Sequence, residues 1–178
     1  MARDKALLPL GESTFLGTLI ETYLTRLDPV IVVVGYHADA IREKFPRDER
    51  VRFVVNQGYD DGMLSSLQTG LREVGGGGAL FTLVDHPSLG PETLQIVADR
   101  FEREGPVALI PRYEGERGHP VAISAEVVAE LLDLPSASSP KPVMRSHYPE
   151  TLFLDLDDPA ITQDIDLPEQ YHKLIERM

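Results

Sequence analysis

The sequence predicts a three-layer α/β sandwich with a mostly parallel sheet, formed by one domain that spans residues 1–178. Short apolar, β-branched runs alternate with segments that repeat apolar residues at helical spacing. The strand-like runs carry no polar alternation, which is typical of strands buried on both faces of a parallel sheet. A length of 178 residues suits one domain, and no stretch is long enough to be an interdomain linker.

The elements of the first half follow from proline, glycine and the apolar pattern. The first predicted helix begins near Ser13, its expected N-cap, and ends before Pro29. The run Val30–Val34 predicts a buried strand, and a short helix follows through Ile41. Residues 51–55 predict a second strand.

The second half continues the alternation of strands and helices. A helix that buries Met63 is expected from Gly62 to Val74, and a further helix opens at Gly90-Pro91, where proline suits the first turn. The remaining predicted elements are strands over 79–84, 107–110, 121–123 and 152–156, a helix capped by Ser124, and a final helix from about Leu167. Alternation of this kind favours right-handed crossovers between strands of one sheet.

The composition excludes several classes of function. Acidic residues outnumber basic ones by 29 to 17, and a net charge of −12 argues against partners such as nucleic acid or a membrane surface. The absence of cysteine excludes disulfides, cysteine-bound zinc, iron–sulfur clusters and thiol nucleophiles. No apolar run approaches the roughly 18 residues of a membrane span, so a cytoplasmic domain is expected.

Two aspartates occupy positions where chemistry is expected. Asp85 directly follows the predicted strand over 79–84, and ligands of such folds bind beyond the carboxyl ends of the strands. It either contributes to a Mg²⁺ site or ends a turn before proline. Asp166, with Glu169 three residues later, matches a helix capping box, and a capping carboxylate keeps lone pairs for a metal ion.

Other polar residues admit both a functional and a structural interpretation. Arg3 and Lys5 form a basic pair that is ordinarily solvated. Ser65 and Ser66 stand at the start of a predicted helix, where they either contact a ligand or pack as small residues. His119, in Gly-His-Pro, is a candidate acid–base or acceptor-binding group, or part of a turn. Nucleophile-elbow, zincin and dinucleotide-binding motifs are absent.

Short motifs along the whole chain resemble, in order and spacing, the molybdenum-cofactor nucleotidyltransferases. The molybdopterin cytidylyltransferase-like branch is the best match. The matching segments are Arg3-Asp4-Lys5-Ala6-Leu7-Leu8-Pro9-Leu10, Val33-Val34-Gly35-Tyr36, Asn56-Gln57-Gly58-Tyr59, Gly62-Met63-Leu64-Ser65-Ser66-Leu67, Leu83-Val84-Asp85-His86-Pro87, Arg117-Gly118-His119-Pro120 and Asp164-Ile165-Asp166-Leu167-Pro168-Glu169.

This resemblance implies a Rossmann-like nucleotide-diphospho-sugar transferase fold and Mg²⁺-dependent transfer of a nucleotidyl group from an NTP. CTP is the expected nucleotide and GTP the alternative, with a phosphorylated acceptor such as molybdopterin and release of pyrophosphate. The implied residue roles are Lys5 and Asp85 in catalysis, Asp85 and Asp166 at the metal, Arg3, Lys5, Asn56, Ser65 and Ser66 at the nucleotide, and His119 at the acceptor.

The resemblance begins inside a signature loop. The family starts with a strand and a glycine-rich phosphate loop, whereas this sequence opens at the end of that loop, so we expect a truncated chain without the first strand. Val30–Val34 and residues 79–84 would then lack the strand between them, and NTP binding would be weak. The alternative to an enzyme is a catalytically impaired relative that serves as a binding or assembly module. The sequence leaves the oligomeric state open.

Overall fold

The computed structural model describes residues 4–176 and confirms the α/β class. Short 3₁₀ turns connect several of the regular elements. The strands are β1 (Pro9–Leu10), β2 (Ser13–Thr14), β3 (Val30–Val34), β4 (Val51–Val55), β5 (Ala79–Phe81), β6 (Ala108–Tyr113), β7 (Glu116–Arg117), β8 (Val121–Ile123) and β9 (Thr151–Asp155). The helices are α1 (Phe15–Leu24), α2 (Ala38–Arg42), α3 (Met63–Leu71), α4 (Pro91–Glu104), α5 (Ala125–Asp133), α6 (Lys141–Ser146) and α7 (Pro168–Ile175).

One sheet consists of β3 and β4, which pair in parallel with Val30 opposite Val51. Its two faces are covered by different helices. Val30, Val32 and Val34 are buried in one core cluster with α1. On the other face, Gly70 of α3 lies close enough to Val33 that an added Cβ would be 3.0 Å from its methyl group. Continuous apolar residues in β3 are therefore explained by helices on both sides.

The larger sheet has the order β5-β8-β6-β7, with β9 on the other side of β6. The expected mostly parallel sheet is instead mixed over residues 4–176, because β8 runs antiparallel to both β5 and β6. The connection from β6 to β8 passes through the short hairpin strand β7. So short a connection joins antiparallel strands only, whereas a parallel pair needs a long crossover.

The amino-terminal end of α1 differs from the prediction by one residue. Ser13 is not the N-cap, because it pairs with Leu10 in the β1–β2 hairpin. Thr14 caps the helix instead, and its Oγ1 accepts the N–H of Gly17 at 3.1 Å. Phe15 then begins the helix fully buried, which fixes α1 against the rest of the core.

Two predictions of burial are wrong. Met63 is 52 % exposed, because it opens the first turn of α3 on the solvent side. The predicted strand over 79–84 ends at Phe81, and its residues are half-buried rather than buried. The physical reason is that β5 pairs only with β8 among the described strands, so its other edge borders a cleft.

A cleft of about 1040 Å³ separates the two sheets. Its long walls are residues 30–33 of β3 and residues 78–85, which include β5. The expectation of a missing first strand remains a prediction.

Hydropathy gives a separate result. Across residues 4–176, helices that combine the length and apolar character of a membrane span are not found.

Candidate active site

The candidate site centres on Lys5, which lies in a 3₁₀ turn over Lys5–Leu7. The side chain of Asp4 accepts the N–H of Ala6 and caps this turn. The Lys5 ammonium forms an ion pair with the Asp166 carboxylate, and it lies 3.9 Å from Oδ2 of Asp85. The structure thus brings together the two aspartates that the sequence singles out.

The backbone explains why the two aspartates meet. Asp85 follows β5, and its carbonyl accepts the N–H of Ile165 at 2.8 Å. Ile165 is fully buried, so the segment that carries Asp166 is anchored beside the end of β5. Asp85 and Asp166, 81 positions apart in the sequence, therefore face one ammonium group.

The two carboxylates near the Lys5 ammonium, Asp166 and Asp85, differ in their hydrogen bonding. The hydrogen bond from Lys5 lowers the pKa of Asp166, which therefore stays ionised. Oδ1 of Asp85 is buried and has no hydrogen-bond partner. A buried carboxylate oxygen without a partner is costly, which indicates that Asp85 is placed for a ligand rather than for stability.

Two histidines lie behind Asp85. The rings of His86 and His119 are 4.7 Å apart between centroids, and Nε2 of His86 is 3.8 Å from Oδ1 of Asp85. Burial lowers the pKa of His86, and burial together with the neighbouring His86 lowers the pKa of His119 to about 4. Both rings are therefore neutral at pH 7. His119 is near the predicted metal residues, and its contact with an acceptor remains a prediction.

Asn56, Ser65 and Ser66 form a network that closes the loop between β4 and α3. The Asn56 amide donates to Ser65 Oγ at 2.8 Å and to Ser66 Oγ at 3.0 Å, while its oxygen accepts from Gly58. Ser65 donates to the carbonyls of Gly58 and Gly62. Asn56 and Ser65 are buried, so the structure shows them as loop-forming residues. Ser66 lines the cleft, and its Oγ accepts from Asn56.

Asp166 does not form the predicted capping box with Glu169. The side-chain oxygen of Gln170 accepts the N–H groups of Asp166 and Leu167 at 2.8 and 2.7 Å. Leu167 holds the N-cap position of α7. The Asp166 carboxylate is thereby left for Lys5. Arg3, the other predicted nucleotide-binding residue, lies outside the described residues.

Tyr36, His37 and Tyr59 form an aromatic surface that was not singled out as a functional site from the sequence. Tyr36 follows β3 and is 66 % exposed, and its ring is 4.0 Å from His37 and 6.0 Å from Tyr59 between centroids. His37 Nδ1 lies 3.7 Å from Oδ2 of Asp4, the neighbour of Lys5. The available signal was a tyrosine placed directly after the glycine that ends a strand.

The carboxylates of Asp85 and Asp166 beside Lys5 suit a hard divalent cation. Groups of three or more possible metal ligands are not found in residues 4–176. Mg²⁺ does not require them, because it usually takes one or two protein carboxylates and completes its shell with phosphate oxygens and water. Asp85 and Asp166 already share one positive charge, and Asp85 offers an oxygen without a partner.

Comparison with known proteins identifies the family. The MobA-like NTP transferase domain matches residues 1–151. The chain belongs to this family. It is therefore a nucleotidyltransferase, as the motif resemblance predicted.

Individual relatives agree with this assignment. The molybdenum cofactor cytidylyltransferase of Escherichia coli K12 is 25 % identical over 99 % of this chain and 90 % of its own length. The structure of Rv0371c from Mycobacterium tuberculosis H37Rv is 26 % identical and superposes with a TM-score of 0.83, over 99 % of this chain and 90 % of that one. Its complex with manganese is 27 % identical, with a TM-score of 0.81 over 98 % and 93 % of the two chains. A divalent metal ion thus occurs in the family.

Proposed function

We propose that this nucleotidyltransferase transfers a cytidylyl group from CTP to a phosphorylated acceptor of the molybdopterin or molybdenum cofactor type, with Mg²⁺ as its metal ion. The observation that carries the proposal is the convergence of Asp85 and Asp166 on Lys5 beside the end of β5. The relative in Escherichia coli, named as a molybdenum cofactor cytidylyltransferase, supports the choice of nucleotide and acceptor.

The reaction needs no general base. A phosphate oxygen of the acceptor, already anionic at neutral pH, attacks the α-phosphorus of CTP. A new oxygen–phosphorus bond forms, the bond from the α-phosphorus to the bridging oxygen breaks, and pyrophosphate leaves with that electron pair. Catalysis then rests on in-line positioning and on neutralising charge. Lys5 and a metal ion held by the two carboxylates would supply the positive charge, while the neutral histidines add none.

Lys5 supplies positive charge at the triphosphate. It stands on a capped turn, so its backbone is fixed while its long side chain can reach a ligand. Asp85 and Asp166 would hold the Mg²⁺, which when bound neutralises phosphate charge. The neutral ring of His119 can donate or accept a hydrogen bond to an acceptor without adding charge.

Tyr36 is the group best placed to receive a planar ring. Tyr36 is exposed at the carboxyl end of β3, and the ring of its neighbour His37 lies 3.7 Å from the carboxylate of Asp4. Stacking of a base on an aromatic side chain contributes about 1–3 kcal/mol. We assign the Tyr36 ring to the cytosine. Tyr36→Leu is then expected to raise KM for CTP about tenfold or more, whereas Tyr36→Phe keeps it within about twofold.

Pyrophosphate release tests the proposal. The protein is incubated with Mg²⁺, molybdopterin and each of the four NTPs in turn, and the dinucleotide product is confirmed by mass spectrometry. The proposal predicts turnover with CTP, loss of turnover with a chelator, and rescue by added Mg²⁺. A preference for GTP or for a sugar phosphate acceptor would overturn the cytidylyl assignment. Tight binding of nucleotide and acceptor without turnover would favour a binding or assembly role.

A further inference from the structure

Two arginines face each other across the hairpin that leads to His119. Arg112 of β6 and Arg117 of β7 are directly opposite in the antiparallel register, so their side chains lie on the same face of the sheet. Like charges in directly opposed positions destabilise a sheet. Each arginine therefore needs a partner of its own, and the two partners differ in kind.

Arg112 is neutralised within the fold. Its Nε and Nη2 donate to the two carboxylate oxygens of Asp155 at 2.9 and 2.8 Å. Its guanidinium carbon also lies 5.3 Å from the centroid of the Phe153 ring. A pair of parallel bonds between arginine and carboxylate satisfies both charge and geometry. The role of Arg112 is therefore to join β6 to β9.

Arg117 is exposed and, within residues 4–176, forms no ion pair. Its Nη1 donates to the hydroxyl of Tyr148, and its guanidinium carbon lies 5.2 Å from the centroid of that ring. The neighbouring Glu116 does not compensate the charge, because successive residues of a strand point to opposite faces. A guanidinium carries several N–H donors in one plane, and Tyr148 takes one of them. Arg117 thus keeps its positive charge and further donors for a ligand.

The segment that supplies Tyr148 preserves this charge. Residues 134–149 contain no aspartate or glutamate, although 29 of the 178 residues in the chain are acidic. Lys141 and Arg145 of α6, in the same segment, add positive charge. The Tyr148 ring is itself held against Phe153, with 5.5 Å between the centroids. Tyr148 therefore provides a fixed, neutral support for the Arg117 guanidinium.

The hairpin connects Arg117 to the candidate site. Arg117 lies two residues before His119, whose N–H donates to the carbonyl of Ile161 at 2.8 Å and so anchors the end of the hairpin. The ring of His119 lies 4.7 Å from that of His86, the residue next to Asp85. An anion bound at Arg117 would therefore lie on the His119 side of the site.

We propose that Arg117, supported on the ring of Tyr148, binds the phosphate group of the acceptor. A planar guanidinium can donate two parallel hydrogen bonds to phosphate, which fixes the orientation of the group as well as its position. This inference rests on the proposed function, in which an oxygen of that phosphate attacks CTP. Arg117 would hold the phosphate in place and transfer no proton, while Lys5 and the metal ion serve the triphosphate.

Kinetics of pyrophosphate release test the assignment. Arg117→Gln should raise KM for molybdopterin at least tenfold and leave KM for CTP within twofold. Arg117→Lys keeps the charge without the planar pair of donors, so it should give an intermediate KM. Tyr148→Leu should raise KM for molybdopterin more than Tyr148→Phe, which keeps the ring. The matched control is Arg112→Gln on the opposite strand, which should leave both KM values within twofold.

Binding of inorganic phosphate provides a readout that needs no turnover. The ¹⁵N resonance of Arg117 Nε in the parent protein should shift saturably as phosphate is added without nucleotide, and the Arg112 resonance should stay unchanged. Sodium chloride at equal ionic strength is the control and should shift neither resonance. This measurement uses the unsubstituted chain, so it also decides the question if Arg117→Gln fails to fold.

The two experiments separate this inference from the proposed function. An unchanged KM for molybdopterin in Arg117→Gln, or a raised KM for CTP instead, would overturn the role of Arg117. The absence of a phosphate-dependent shift at Arg117 would also overturn it. Failure of the parent protein to turn over CTP, with the phosphate shift at Arg117 present, would contradict the cytidylyl assignment and support the phosphate site.

Discussion

Replacing Asp85 by asparagine separates a functional carboxylate from a structural one. Oδ2 of Asp85 lies 3.9 Å from the Lys5 ammonium, and Oδ1 is buried without a partner. Asparagine keeps the size and one oxygen of the side chain, so packing around β5 is preserved. The substitution removes the negative charge and replaces one acceptor oxygen by an amide group that donates.

The structure sets the expected size of the stability change. The side chains of Lys5 and Asp85 are 28 % and 23 % exposed, and partly exposed pairs of this kind contribute about 0–1 kcal/mol. The desolvation of Oδ1 opposes that gain, because a buried group without a partner costs about 1–3 kcal/mol. The free energy of unfolding should therefore change by less than about 1 kcal/mol or rise. A domain of this size then shifts in Tm by no more than about 2–4 °C in the unfavourable direction.

The same substitution should remove activity. Losing one preorganised charged group at a reacting centre costs about 100-fold or more in kcat. Asp99→Asn, on the surface of α4 where Asp99 pairs with Arg26, is the matched control and should keep full turnover. The assays are thermal unfolding and pyrophosphate release. A fall in Tm that accounts for the lost activity, or unchanged turnover in Asp85→Asn, would refute the assigned role.

Other parts of the structure give further predictions. Burial lowers the pKa of His119 to about 4, so the unfolded chain binds an extra proton between about pH 6.5 and 4. Unfolding free energy should fall by up to about 3 kcal/mol as pH decreases through this window, and His119→Gln should flatten the profile measured by urea titration. Gly118→Ala would place a Cβ 2.2 Å from a backbone oxygen, so it should cost about 2 kcal/mol or more. Gly90→Ala, at the N-cap of α4 with open space around it, should cost less than about 1 kcal/mol, and an equal loss of Tm in the two variants would contradict the packing. Thr14→Ala should lower the free energy of unfolding by about 1 kcal/mol in chemical denaturation, and Ser13→Ala should lower it by less. The reverse order would indicate that Ser13 is the N-cap.

The local sequence pattern predicted the bounds of segments whose structure depends mainly on their own residues. The bounds of β3 and β4 agree with the sequence prediction residue by residue. Pro29 and Gly35 bracket β3, and its β-branched side chains favour an extended chain on any buried surface. The prediction failed at Ser13, because pairing with Leu10 is a contact that helix-cap preferences do not contain.

The two carboxylates of the site could be predicted from the sequence, but the contacts around them could not. Asp85 was found because chemistry concentrates at the carboxyl ends of strands, whereas Asp166 was found at the start of a predicted helix and within a motif that resembles the family. Gln170, rather than Asp166, accepts the backbone N–H groups at the start of α7. This arrangement depends on two amide hydrogens that lie within reach of one side chain. The contact of His86 with His119 joins distant segments and leaves no local signal.

Binding of Mn²⁺ in the presence of CTP tests whether Asp85 and Asp166 form the metal site. Electron paramagnetic resonance of free Mn²⁺ reports the bound fraction in the parent protein, in Asp85→Asn, in Asp166→Asn and in the control Asp99→Asn. We expect the parent and the control to bind Mn²⁺ with CTP, and each of the other two variants to weaken binding at least tenfold. Equal Mn²⁺ binding by all four proteins would contradict the assignment of Asp85 and Asp166 as the metal-binding pair.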